Sequence, residues 1–160
     1  PINILVQNCD ISANGKDASA DHGIYFARVT NGKILNNTCY DNTFGGGIKV
    51  RLSLLNILVS GNKCYGNLDG IVMSDTSDGT NVVISNNLLY QNTANGMRLE
   101  NAATYISILH NTIVNNGTAT SKYGVMFYAA NALNNILKNN IIFQDAAVTG
   151  DGSNQPIRCA

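Results

Sequence analysis

Five short segments of this 160-residue chain open with glycine and run into apolar residues: GIYF (23–26), GIKV (47–50), GIVM (70–73), GMRL (96–99) and GVMF (124–127). Read as strands whose residue after glycine faces inward, they send Tyr25 and Ala27, Lys49 and Arg51, Val72 and Ser74, Arg98 and Glu100, and Met126 and Tyr128 outward. Only 12% of residues are charged, so three cations and a carboxylate on one strip are a concentration of charge. His22 stands immediately before the first of these strands and Asp69 immediately before the third. Such a strip suits an anionic sugar chain. Eliminating or epimerising at C5 of a uronate requires the carboxylate to be neutralised and a base to remove the adjacent proton. Arg51 or Arg98 is a candidate for bidentate carboxylate binding, Lys49 or His22 for the base, and Tyr25 for the proton donor. Tyr128 could stack on a sugar ring, and Asp69, Ser74 and Glu100 complete the candidate substrate-binding set. Solubility alone also accounts for the strip, because outward positions of a solvated sheet must be polar in any case.

The elements that would hold these residues follow from an internal repeat. Aligned on one asparagine, the chain gives NNTCYDN (36–42), GNKCYGN (61–67), NNLLYQN (86–92), HNTIVNN (110–116) and NNIIFQD (139–145). The anchors Asn37, Asn62, Asn87, Asn111 and Asn140 are 25, 25, 24 and 29 residues apart, and a weaker first copy, NCDISAN (8–14), puts Cys9 at the anchor. Alternating apolar residues precede the anchors, as in Ile2, Ile4 and Val6 or Val82 and Ile84, and another apolar position follows two residues later (Ile11, Cys39, Cys64, Leu89, Ile113, Ile142). Alternation with period two is a strand signature. With the glycine-led strand this makes three strands per circuit, hence a solenoid of about six coils with three parallel sheets. Stacking at about 4.8 Å per coil lets like residues form internal ladders, and an inward asparagine at each bend can bond its amide to the next one and to turn backbone. A leucine-rich-repeat horseshoe has a similar period, but its LxxLxLxxN pattern and helix-forming segments are missing.

Equal numbers of basic and acidic residues, ten each, remove the broad positive field that nucleic-acid binding needs. No apolar run approaches the roughly 18 residues that cross a bilayer, so no membrane partner is expected. The chain starts at Pro1, and Ile2 to Val6 already reads as a strand, so a removed leader or further coils are expected upstream.

The repeated N-x-[apolar]-[aromatic or apolar]-x-N followed by G-I-x-[apolar] resembles the right-handed parallel β-helix of the pectate-lyase-like superfamily, which includes polysaccharide lyases and uronate epimerases. The resemblance covers residues 1 to about 145, leaving 146–160 as a tail or the start of a further coil. It implies a β-helix whose asparagine ladder marks the bend between the second and third sheets, with the glycine-led strands as the first sheet and a substrate groove on that sheet's outer face. It also implies a secreted or cell-surface, carbohydrate-active protein with a polysaccharide partner. The chain has no tryptophan and no paired-aspartate motif, so neither true pectate lyase nor polygalacturonase activity carries over.

Other features stay open at this level. Tyr40, Tyr65 and Tyr90, three residues past successive anchors, should line the outside of the third sheet. They could bind sugar, be buried by another subunit, or stack across strands for stability. Self-association through that stripe or through open coil ends is a further expectation. Cys39 and Cys64 are expected as a reduced, buried pair. The segment Asp75 to Gly79, DTSDG, resembles a calcium loop but lacks the ligand spacing of a full site, so it reads as a turn; no cofactor is expected. His110 reads as a corner residue, and Asn36 and Asn116 sit in N-x-T contexts. Three functions remain: an enzyme on acidic polysaccharide with lyase or C5-epimerase chemistry, a noncatalytic carbohydrate-binding module, or a structural segment that stacks or oligomerises.

Overall fold

The structure, a computed structural model, describes residues 1–14, 21–75, 81–101, 103–117, 123–128, 134–145 and 155–159. Strands come in threes along the chain. They are β1 (Leu5–Gln7), β2 (Asp10–Ser12) and β3 (Ile24–Ala27), then β4 (Thr30–Leu35), β5 (Thr38–Tyr40) and β6 (Gly46–Arg51). β7 (Leu55–Ser60), β8 (Lys63–Tyr65) and β9 (Asp69–Ser74) follow, then β10 (Val82–Ser85), β11 (Leu88–Tyr90) and β12 (Met97–Glu100). The last are β13 (Ile106–Leu109), β14 (Thr112–Val114) and β15 (Tyr123–Phe127), then β16 (Ile136–Lys138), β17 (Ile141–Phe143) and β18 (Gln155–Cys159). Each strand pairs in parallel with its counterpart one coil away, giving three six-stranded sheets and about five full coils of a right-handed solenoid. The glycine-led strands β3, β6, β9, β12, β15 and β18 are the first sheet, the strands ahead of the anchors the second, and those after the anchors the third.

Inward residues meet their own kind. Ile24, Ile48, Ile71, Met97 and Val125 form one column on the first sheet, and Ile34, Val59, Ile84 and Ile108 another on the second. Their burial, complete for Ile48, Ile71, Met97, Ile84 and Ile108, supplies roughly 1.5–3 kcal/mol each. Cys39 and Cys64 are neighbours in the third-sheet column, fully buried and free. A hydrogen bond with Cys39, and then burial, push the Cys64 thiol well above its ordinary pKa, so the pair packs as small uncharged core residues.

Every second-to-third-sheet corner is built the same way. The residue before each anchor (Asn8, Asn36, Gly61, Asn86, His110 or Asn139) turns the chain with φ between 54° and 69°, the left-handed region where Asn and Gly are the least costly residues. His110 is therefore a corner residue. The anchor that follows points inward. Asn62 Oδ1 accepts from both the backbone N–H and the Nδ2 of Asn37, at 2.9 and 3.0 Å, while Asn62 Nδ2 donates to Asn87 Oδ1 and to the Ile34 carbonyl. The pattern repeats from Asn37 to Asn140.

A second ladder, which the sequence reading does not assign, runs along the corner between the third and first sheets through Asn42, Asn67, Asn92 and Asn116. These are the last residues of the aligned heptads, and all four are buried. In the last copy that position is Asp145, whose carboxylate has no N–H to donate; Gln144, one residue earlier and one methylene longer than asparagine, takes over and accepts the Asn116 N–H at 2.9 Å. Asn116 has its Nδ2 bonded to the Leu89 carbonyl at 3.0 Å and is 2% exposed, so its N-x-T context carries no accessible amide. By contrast Asn3, Asn31 and Asn56 form a short exposed ladder at the third kind of corner.

Asn62→Ala removes an acceptor shared by two donors and strands buried carbonyl partners, which we expect to cost about 3 kcal/mol or more. Asn56→Ala in the exposed ladder should cost less than about 1 kcal/mol. Urea denaturation of the two variants checks the contrast, and equal losses would place the buried ladder on the same footing as the exposed one.

Candidate functional site on the first sheet

Two outward rows cross the first sheet. One runs Tyr25, Lys49, Val72, Arg98, Met126 and Arg158; the other includes Ala27, Arg51, Ser74 and Glu100. Strand register thus brings the candidate side chains of four different coils onto one patch, as the alternation predicts. Lys49 on β6 reaches across the intervening strand β9 to Glu100 on β12, Nζ to Oε2 at 3.5 Å. Arg98 binds both the other Glu100 oxygen and Asp69 Oδ2, each at 3.0 Å, and Arg51 pairs with Asp75 at 3.2 Å. Beneath this layer Val72 and Ser74 are outward-facing yet 0% and 1% exposed. Lys49, Arg98, Arg51 and Glu100, which flank them in register, close over them.

Asp69 is almost fully buried and heads a first-sheet chain of polar contacts. Its Oδ1 accepts from the backbone and side-chain amides of Asn95 at 3.1 and 2.8 Å, and Asn95 Oδ1 in turn accepts the Tyr123 N–H. Burial pushes the Asp69 carboxyl up, with the Arg98 guanidinium and the Asn95 bonds pulling it partly back. The ion pair with Asp69 fixes Arg98 over the Val72 and Ser74 floor.

His22 is half-buried at the margin. Its Nδ1 accepts the Gly46 N–H at 2.8 Å, and a Cβ on the neighbouring Gly45 would lie 2.8 Å from that nitrogen, so glycine there lets ring and backbone meet. Burial first, then the charges of Lys49 and Arg98, lower its pKa to about 4. The imidazole is therefore neutral near pH 7 and carries its proton on Nε2, with the Nδ1 lone pair already used. Tyr25, about half exposed, tilts against the His22 ring at a centroid distance of 5.6 Å. Tyr128 lies one coil past Glu100 at the far rim, 63% exposed.

Of the predicted set, Lys49, Arg98, Glu100, Asp69, Ser74, His22 and Tyr25 form one neighbourhood, with Arg51 adjoining it in the Ser74 row and Tyr128 beyond. Asp75, missed as a site residue, belongs here as the partner of Arg51; its place directly after Ser74 was the available signal. The remainder of the DTSDG segment lies outside the described residues, among which no group of three or more His, Cys, Asp or Glu is placed to hold a metal ion. Among the same residues no helix is long and apolar enough to cross a membrane. On the third sheet Tyr40, Tyr65 and Tyr90 stack face to face at 5.2 and 4.9 Å, with Lys63 Nζ 5.2 and 5.6 Å from the last two rings. The ring surfaces that face one another are occupied by cross-strand stacking.

With three parallel sheets, stacked coils and amide ladders in place, the class is defined: the chain belongs to the family described as the right-handed β-helix region, which it matches over residues 3–142. Among solved structures it is similar to the A-modules of the mannuronan C-5 epimerases AlgE4 and AlgE6 of Azotobacter vinelandii, each with a TM-score of 0.58 and 17% identity over 99% of this chain. The chain spans 56% and 55% of those two structures, and at this identity the likeness is one of fold. No curated protein matches it.

The His22 shift has a sign that can be checked. Between about 4 and 6.5 the unfolded chain holds more protons at this residue than the folded one, so its contribution to stability falls as pH drops through that window. Asp69, with its raised carboxyl, opposes this but is common to any His22 variant. Compared with His22→Gln, which keeps an acceptor for Gly46, the wild-type protein should lose relative stability on acidification from pH 7 to 4 in urea titrations. A difference constant across that range would contradict a His22 buried in its neutral form.

Proposed function

We propose that this is a carbohydrate-active β-helix protein that takes an acidic polysaccharide along the outer face of its first sheet, and that it carries out lyase or C5-epimerase chemistry there. The observation that carries the reading is the convergence of Lys49, Arg98, Glu100 and His22 from three coils over an enclosed floor of Val72 and Ser74. Arg98, with Arg51 two strands away in the neighbouring row, receives the uronate carboxylate and draws charge from C5 as the proton leaves. Lys49 stands next to that position; released from Glu100 and in its neutral amine form, it takes the C5 proton. His22, with its Nδ1 engaged and its Nε2 protonated, is a hydrogen-bond donor to the sugar, and Tyr25 beside it supplies the returning proton. Return of a proton to the opposite face of C5 gives the epimer. Expulsion of the C4 oxygen, which leaves with a proton, gives a C4–C5 double bond. The likeness to polysaccharide C-5 epimerases supports this at the level of the fold they share. A polymer of this kind is met outside the cell, so we place the protein there or at the cell surface.

One observation favours a second reading, a noncatalytic carbohydrate-binding module: Lys49, Arg51 and Arg98 are each already matched by a carboxylate, among Glu100, Asp75 and Asp69. Incubation with mannuronate and other uronate polymers in D2O separates the two. Catalysis predicts deuterium at C5 of the polymer or the ultraviolet absorbance of an unsaturated uronate end, at least tenfold reduced in Lys49→Ala and Arg98→Ala. Binding without either signal would establish the module, and no binding to any polymer would remove the carbohydrate reading.

A further inference from the structure

Glu100 has an unusual position for a solubilising surface charge. One of its oxygens is held by Arg98 at 3.0 Å and the other by Lys49 at 3.5 Å, across the whole width of β9, and its side chain is 20% exposed. A carboxylate bridging a guanidinium and an ammonium is the arrangement an acidic sugar would need on the same patch. The layer around it also has unspent capacity. Among the described residues, Ser74, 1% exposed and in register between Arg51 and Glu100, has a hydroxyl without a hydrogen-bond partner, and the Nε atoms of Arg51 and Arg98 are buried and likewise unpaired. Three buried donors with no acceptor among the described residues mark a site that a single short carboxylate fills only in part.

We infer that Glu100 is a tethered competitor: its carboxylate occupies the seat of an incoming carboxylate on Lys49 and Arg98, and an acidic ligand binds by displacing it and engaging Ser74 and the free Nε–H groups. This rests on the reading of the strip as the carbohydrate face and deepens it by assigning a specificity-determining residue. Displacement costs the ligand the Glu100 ion pairs, so neutral sugars, which cannot replace them, are excluded and isolated carboxylates bind weakly. Chains that present a carboxylate together with neighbouring contacts gain enough to open the seat.

The test uses two probes, acetate for the carboxylate seat and a mannuronate hexasaccharide for the polymer, followed by NMR of the Arg98 Nε–H and by calorimetry. Glu100→Gln should bind acetate roughly fivefold to tenfold more tightly than wild type, the worth of a freed half-buried ion pair. Glu100→Asp, too short to reach both cations, should show a smaller gain and serves if the Gln variant does not fold. Asp10→Asn, an exposed charge on the third sheet, should leave acetate affinity unchanged. Acetate binding that is no tighter in Glu100→Gln, or a gain matched by Asp10→Asn, would overturn the competitor. A gain for acetate with no hexasaccharide binding in either protein keeps the competitor and removes the polysaccharide reading. Equal hexasaccharide affinity in wild type and Glu100→Gln does the reverse.

Discussion

From Asn37 to Asn140, successive coils of this protein are tied together by a corner asparagine that bonds to the equivalent asparagine in the next coil. The corners turn through left-handed residues, which leaves backbone groups unpaired inside the bend, and burying them without partners would cost about 1–3 kcal/mol apiece. The amide is suited to the task because it offers an acceptor and two donors at once. In Asn62 the oxygen takes two N–H groups from the coil before it, while the nitrogen serves the coil after it and an upstream carbonyl. With two such columns, one on each side of the third sheet, coils are held in phase on a core of stacked isoleucine, valine, leucine and methionine that forbids a one-residue slip but by itself discriminates less against a slip of two, which keeps the same face inward.

That phase is what assembles the charged patch. Lys49, Arg98 and Glu100 come from coils separated by about 50 residues of chain and meet only because β6, β9 and β12 are in register. A slip of one residue on β9 would turn Val72 and Ser74 inward and Ile71 and Met73 outward, removing the floor. Ion pairs at this level of exposure are individually modest, roughly a kcal/mol or less. They do not hold the sheet together; the sheet holds them in place. Asp69 is the exception, a buried carboxylate tied to Asn95 and Arg98 whose loss would leave Arg98 without its fixed partner.

How much of this could be read from the sequence depended on periodicity. The three-strand coil, the inward anchor asparagines and the outward identities of Lys49, Arg51, Arg98 and Glu100 were all legible, because the repeat recurs with a spacing of 24 to 29 residues and strand alternation fixes the face. The second ladder was present in the same alignment, at the last residue of each heptad, but its Asn42, Asn67, Asn92 and Asn116 resemble ordinary turn residues until the geometry shows them pointing inward. The shift to Gln144 in the final copy hid its regularity further. Pairing was the least legible level. Nothing in the order of residues says that Glu100 is shared between Lys49 and Arg98, or that His22 spends Nδ1 on Gly46, since both depend on side-chain reach across coils.

Native-state hydrogen exchange of the corner asparagine amides tests the central claim most directly. If the ladders set the phase of the coils, the backbone N–H groups of Asn37, Asn62, Asn67, Asn87 and Asn92, each donated to the next asparagine side chain, exchange only when the whole domain unfolds. Their opening free energies then equal the stability from denaturant titration. Exchange of these amides through local opening, faster than the first-sheet amides of Leu99 or Met73, would show that the corners fray while the sheets persist, and that apolar stacking, with no help from the amides, keeps the coils in register.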